Sequence, residues 1–453
     1  MLVFCAFLIS LTIGSLVESA LTTRGVINSH GIIAAPSTMS GYECGNYNST
    51  HYYARNLERL DSDLLFTDAA DTIRYALGKL TYVRTWQEAL ILKGNFFINS
   101  TITLSQGNVF LDCRQATLTL TAETILFEVQ NGGHYTFKGN GGHIIGPSTS
   151  SSNNIAFRFT NCFDCLIDGF DISGFSGNNN GIFLFGIYSS NMVIQNCVFH
   201  DNDNSGHLTI LNQGYNEVLD CVFTNPSQGI FVSSSATNNL ISGCEFSGWW
   251  QGGFGHAIYL DGTSGLGGYN TITNCSFHDP LGQAALHIKC QCNDIYDNVF
   301  YSFPQQSLPL SIYSEYSPSY ANDNTIHDNS FTDCYYGIKV GHNPANYPTL
   351  RNKIYDNLFT RVTGCIILNP WSGAITTVED TMIYYNSFVD CSKIFPLSES
   401  SPSLVKNTVV AFNDFGGTVA DLAILQKYVN SMVYDNIGMA DYNVPSPLPI
   451  LPR

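Results

Sequence analysis

The sequence predicts an all-β solenoid, a coil of short strands in which every turn stacks on the one before. Three observations predict it. The pattern Ile194-Gln195-Asn196-Cys197-Val198-Phe199 returns along the chain as an aliphatic residue, two variable positions, Cys or Asn, one variable position, then Phe. Its Cys or Asn and its Phe stand two apart, the period of a strand and not of a helix. The lead aliphatics recur every 23 to 31 residues, too close for separate domains and irregular enough to need loops between strands.

The later copies are Val218-Cys221-Phe223, Ile241-Cys244-Phe246, Ile272-Cys275-Phe277, Ile295-Asn298-Phe300, Ile326-Asn329-Phe331, Ile354-Asn357-Phe359, Ile383-Asn386-Phe388 and Val410-Asn413-Phe415. A looser copy, Ile167-Phe170-Ile172, opens the run, and Val433-Asn436-Gly438 closes it. The three-residue step after the lead aliphatic breaks the alternation, as a bend between two short strands would. No such strand buries its own apolar face, so each unit must stack on the next. Asn216, Asn239, Asn270, Asn293, Asn324 and Asn352 stand two places before their lead residues. Asparagine tolerates the left-handed backbone region, and its amide can bond the same amide one layer above. This pattern resembles the right-handed parallel β-helix proteins of the pectate-lyase-like superfamily. The resemblance implies a right-handed parallel β-helix over residues 94–441, with a short N-terminal capping helix.

Residues 1–20 contain an uncharged run, Leu2 to Val17, that is short for a membrane span and reads as a secretory signal, with a retained anchor as the alternative. Residues 21–93 lack the repeat and read as a cap region. Within them Thr67 to Gly78 form a helix pattern with Ala70, Ile73 and Leu77 on one face. In proteins that the chain resembles, such a helix covers the open strand edge of the first rung. Residues 442–453 carry Pro445, Pro447, Pro449 and Pro452 and read as an extended tail.

Composition excludes some functions. A formal net charge of −17 argues against nucleic acid as a partner. Only 12 % of residues are charged, while 29 Phe and 25 Tyr suit a long apolar core with aromatic rows. Of 14 cysteines, Cys197, Cys221, Cys244 and Cys275 share one repeat position and should stack as buried, unbonded thiols. Cys162-x-x-Cys165 and Cys290-x-Cys292 lack the second pair that a zinc site needs, so no metal ligand is assigned. Asp201 to Gly206 resembles half of a calcium loop, but Asn212 stands where an acidic residue is required. A polar turn is the plainer reading, and no cofactor is assigned.

Each unit carries another short strand after its Phe. With its aliphatics pointing inward, one outward column reads Thr209, Phe231, Tyr259, His287, Ser311, Lys339. The next reads Leu211, Ser233, Asp261, Lys289, Tyr313, Gly341. Between Arg158 and Arg351, Lys289 and Lys339 are the only Lys or Arg residues. As ordinary surface, Asp261 and Lys289 form an ion pair worth ~0–1 kcal/mol, and Tyr259 and Phe231 are ladder aromatics. As a glycan groove, aromatic faces carry sugar rings, and Lys289 and Lys339 hold a sugar carboxylate while His287 or Tyr313 removes a proton. Hydrolysis would instead need a carboxyl pair, for which Asp261 and Glu315 are the only nearby candidates. The catalytic candidates are therefore His287, Lys289, Asp261 and Tyr313, and the substrate-binding candidates Tyr259, Lys339, Phe231 and Glu315. Two classes stay open. One is an exported lyase or hydrolase acting on a uronate-containing polysaccharide or cell-surface glycan. The other is a non-catalytic surface or virion-associated glycan-binding protein.

Overall fold

The computed structural model describes residues 40–58, 64–80, 88–147, 154–175, 183–185, 189–202, 206–211, 214–233, 235–249, 255–262, 267–314, 320–341, 347–368, 377–396, 404–416, 425–438, 440–441 and 443. The proposed signal, Glu315, residues 203–205 of the calcium-like loop, and tail residues 442 and 444–453 lie outside them. From Glu88–Ile98 onward the strands pair in parallel, each with its counterpart one turn away, so the chain is the expected right-handed parallel β-helix. The first parallel rung crosses the boundary drawn at residue 93. Ahead of it, Gly41–Asn46 adds in parallel to Glu88–Ile98 and pairs antiparallel with Tyr52–Asn56, which pairs antiparallel with Leu64–Phe66.

The capping helix is Ala69–Leu77. The Asp68 carboxylate accepts from the Asp71 amide at its start, satisfying one of the unpaired donors of a helix N-terminus. Its apolar side buries Ala69, Ala70, Ile73, Ala76 and Leu77 in the same core as Cys44, Leu90 and Leu92. Arg74 ties it to the first rungs through the Ser100 hydroxyl and the Thr101 carbonyl. Among the described residues no helix is long and apolar enough to cross a membrane.

Each central turn has three short strands. The first carries the lead aliphatic, as in Thr325–His327. The second carries the Phe, as in Ser330–Cys334. The third supplies the candidate face, as in Tyr336–Val340. Inside, Phe199, Phe223, Phe246, Phe277, Phe300, Phe331, Phe359 and Phe388 are fully buried and stacked nearly parallel, with centroids 4.7–5.1 Å apart. That spacing is set by the rung separation of ~4.8 Å, so backbone pairing and ring stacking demand the same repeat.

Two files of asparagine amides run beside this stack. In one, the Nδ2 of Asn216, Asn239, Asn270, Asn293 and Asn324 each donates to Oδ1 of the next member, ending at Asn352, over 2.8–3.0 Å. In the other, Asn298, Asn329, Asn357, Asn386 and Asn413 do the same up to Asn436. The file asparagines themselves do not take the left-handed conformation. The residue before each one does, as at Asp297, Asp328 and Asp356, with φ of 55°, 54° and 51°. Aspartate or asparagine fills that bend at six of the twelve positions, and Tyr215, Tyr269, Cys292, Arg351, Tyr385 and Phe412 take it at the others. At Gly243, φ is 67° and an added Cβ would lie 2.1 Å from the Asp220 carboxylate, so a glycine serves there.

Below Asn298 the second file is made of thiols. Cys197, Cys221, Cys244 and Cys275 are buried, and no disulfide joins any cysteine among the described residues. Cys275 joins the two halves, its amide donating to Asn298 Oδ1 over 3.0 Å.

Candidate functional site

The third strands place the candidate residues in the expected register. Phe231 lies beside Tyr259, Tyr259 beside His287, His287 beside Ser311, and Ser311 beside Lys339. The hydrogen-bond ladder continues one residue further, with the Asp261, Lys289, Tyr313 and Gly341 amides donating to Val232, Leu260, Ile288 and Ile312. Leu286 and Ile288 are fully buried in the core, so alternation sends His287 and Lys289 to the outer side. Outward does not mean open here. His287 is 6 % exposed, Lys289 7 % and Tyr259 8 %, whereas Phe231, Asp261, Tyr313 and Lys339 are half-buried.

The rings in this column use their faces on one another. Tyr259 stacks on Phe231 at 5.5 Å and on His287 at 4.9 Å, the latter pair within 7° of parallel. Tyr313 meets His287 edge-on at 4.7 Å. Tyr259 therefore has a ring on both faces and Phe231 a ring on one, so Tyr259 does not offer a face to a sugar ring. Rings in register one rung apart fall at stacking distance and spend those faces on each other. What the column can turn outward is edges and polar tips.

Those tips are cationic. The Lys289 ammonium donates to the Tyr259 hydroxyl and lies 4.7 Å from the Tyr259 ring centroid and 5.5 Å from that of Tyr313. Burial lowers the Lys289 pKa to about 8, against the opposing pull of Asp261 one rung below. Burial likewise lowers Lys339 to about 8, and Lys339 has no carboxylate partner among the described residues. Several other cations of the coil are neutralised rung to rung. Arg351 is bidentate on Asp323, Arg361 on Asp333, and Lys406 meets Glu379 at 3.1 Å.

Sequence reasoning missed His256. Parity with Ile258 and Leu260 assigns it inward, yet its ring lies 4.3 Å from His287 and 5.4 Å from Tyr259. The alternation slips because His256 opens its strand at the corner, where Ala257 already enters the core. Burial lowers the His256 pKa to about 4, so it is neutral near pH 7. The signal in the sequence was its place in the same short strand as Tyr259. Among the described residues no group of His, Cys, Asp and Glu side chains could hold a metal ion.

The profile of the family described as right handed beta helix region matches residues 90–246 and 256–360. The chain belongs to this right-handed beta helix family. The comparison with curated proteins gave no match. Among solved structures, a mutant tailspike protein of E. coli bacteriophage HK620 in complex with pentasaccharide is similar, with a TM-score of 0.52 at 11 % identity over 81 % of this chain and 76 % of that one. Tailspike protein 3 of bacteriophage CBA120 gives 0.49 at 12 % identity over 92 % and 69 %. A mannuronic acid specific polysaccharide family 6 lyase from human gut microbiota gives 0.41 at 17 % identity over 77 % and 80 %. At such identities the likeness concerns the beta helix itself, and function must be argued from the site.

Proposed function

We propose that this beta helix protein is exported or surface-borne and acts on an acidic polysaccharide, cleaving it by elimination next to a sugar carboxylate. One observation carries the reading. Two desolvated lysines, Lys289 and Lys339, share an outer face with a phenol and an imidazole, in a chain of net charge −17. Holding an ammonium in a partly dry site costs stability, and an anionic ligand recovers that cost. Elimination needs a cation on the carboxylate and a group that removes the adjacent proton, and both kinds of group are present on this face. Hydrolysis needs two carboxyls, of which Asp261 is on the face and Glu315 is outside the described residues. The pentasaccharide complex of the HK620 tailspike supports a glycan on this fold. The ring ladder favours a second reading, glycan binding without turnover, because stacking alone accounts for Phe231, Tyr259 and His287.

The test is a panel of acidic and neutral polysaccharides assayed for unsaturated products and for new reducing ends. Unsaturated products from a uronate-containing glycan are expected. New reducing ends without unsaturation would replace elimination by hydrolysis. Binding without either product would establish the second reading.

A further inference from the structure

We propose that Tyr259 and Lys289 act as one proton-transfer unit, in which the Tyr259 oxygen takes up and returns the proton while His287 is the surface on which that phenol is held. The inference rests on the elimination reading above and changes the residue assigned to the proton. The column geometry decides between the candidates. His287 has Tyr259 flat against one side and meets the Tyr313 edge and the His256 ring, so it is enclosed by rings. Tyr259 is sandwiched between Phe231 and His287, which fixes its plane and leaves its hydroxyl edge to meet the Lys289 ammonium. An ammonium hydrogen-bonded to a phenol oxygen favours the ionised phenolate. Because the two groups are coupled, the proton they release belongs to the pair. The titratable or charged groups around the pair are His256 on the strand of Tyr259, His287 on the strand that leads into Lys289, Asp261 one rung below Lys289 and Tyr313 one rung above, and Lys339 further along the face.

In the step, the Tyr259 oxygen removes the hydrogen on the carbon bearing the sugar carboxylate, while an ammonium on the same face balances the carboxylate. The electron pair left on that carbon forms a double bond to its neighbour as the bond from that neighbour to the glycosidic oxygen breaks. The departing oxygen then takes the same proton from Tyr259, which returns to its starting state. No oxidant, reductant or further reactant is required.

A readout independent of turnover tests the pair. Ultraviolet difference titration of the full chain follows tyrosinate formation among its 25 tyrosines. One tyrosine is expected to ionise below the ordinary value of ~10, ahead of the others. That step should vanish in Tyr259→Phe and move upward in Lys289→Met. Phenylalanine fits this column, since Phe231 occupies it one rung below, so Tyr259→Phe is expected to fold. Absence of the step, or its survival in Tyr259→Phe, overturns the proposal. On a glycan that the parent cleaves, Tyr259→Phe should bind as the parent does while turnover falls by ~10²–10⁴-fold. Parent-like turnover in Tyr259→Phe also overturns it. A parent that cleaves no glycan removes the elimination reading and the transfer step with it, while the titration still decides whether the pair exists.

Discussion

Replacing Asn329 by alanine tests what holds the upper coil in register. Asn329 is 1 % exposed and its side chain makes five hydrogen bonds. Nδ2 donates to the Ile295 and His327 carbonyls and to Asn357 Oδ1, and Oδ1 accepts from the amide and the Nδ2 of Asn298. The two amide hydrogens are shared among three acceptors, so at ~1 kcal/mol net for each full bond the direct loss is about 4 kcal/mol. The Asn298 amide would keep no acceptor on this side, and a buried donor without a partner costs ~1–3 kcal/mol, offset by whatever water enters the space. An overall cost of about 4–6 kcal/mol follows. Asn329→Cys should cost less than alanine. Lower in the same file a thiol is accommodated, Cys275 Sγ reaching the Thr273 and Ile241 carbonyls at 3.3 and 3.7 Å. Urea unfolding followed by circular dichroism measures both variants. A cost below ~1 kcal/mol for Asn329→Ala would show that the amide file follows the coil and does not hold it.

Phe277→Ala removes a fully buried ring between Phe246 at 5.1 Å and Phe300 at 4.9 Å and should cost ~3–5 kcal/mol in the same assay. The double change Lys289→Ala with Lys339→Ala should abolish retention on an acidic glycan column while leaving the urea midpoint unchanged or higher. Lys339→Met alone should raise stability at neutral pH. Its ammonium titrates at about 8 when folded, so the parent gains stability as pH rises from there toward the unfolded value near ~10.4, a gain the variant lacks. His327 runs the other way. Burial opposes its charge, but Asp294 and Asp328 outweigh this and raise its pKa. Its contribution is therefore complete below the unfolded value of ~6.5 and is lost as pH climbs through the raised folded one, so the fall in stability from mildly acidic to alkaline pH should shrink in His327→Gln. Among Cys44 to Cys391, a thiol reagent should modify only Cys292 in the folded protein, the one that is not buried.

Much of the coil was legible because one residue in each repeat does one physical job. Phe277 had to be inward because Cys275, two places earlier, was, and rung stacking carried that assignment to every copy. The N-terminal strands were not legible. Gly41–Asn46 and Tyr52–Asn56 occur once and pair antiparallel, so no recurrence marks them. At the site, alternation placed Tyr259, His287 and Lys289 in their columns. It could not show that rings one rung apart would consume each other's faces, which is a matter of distance along the axis. Nor could it show that His256, at a corner, would leave its own parity.

The asparagine files have an electrical consequence. Every linked amide points the same way, its N–H toward the C-terminal end and its carbonyl toward the N-terminal end, so each file is a column of aligned dipoles. Within the column each positive end meets a negative one and the field cancels, as in a helix, leaving partial charges only at the two tips. The molecule neutralises the positive tips internally. Asn352 turns its Nδ2 back to the Ala321 carbonyl, and Asn436 gives its Nδ2 to the carbonyls of Val410 and Tyr434. The negative tip of the second file is the Oδ1 of Asn298, which receives the Cys275 amide where the thiols begin. The change from asparagine to cysteine at that rung is therefore where this file's field ends. The four thiol rungs below it carry no aligned side-chain amides in that column.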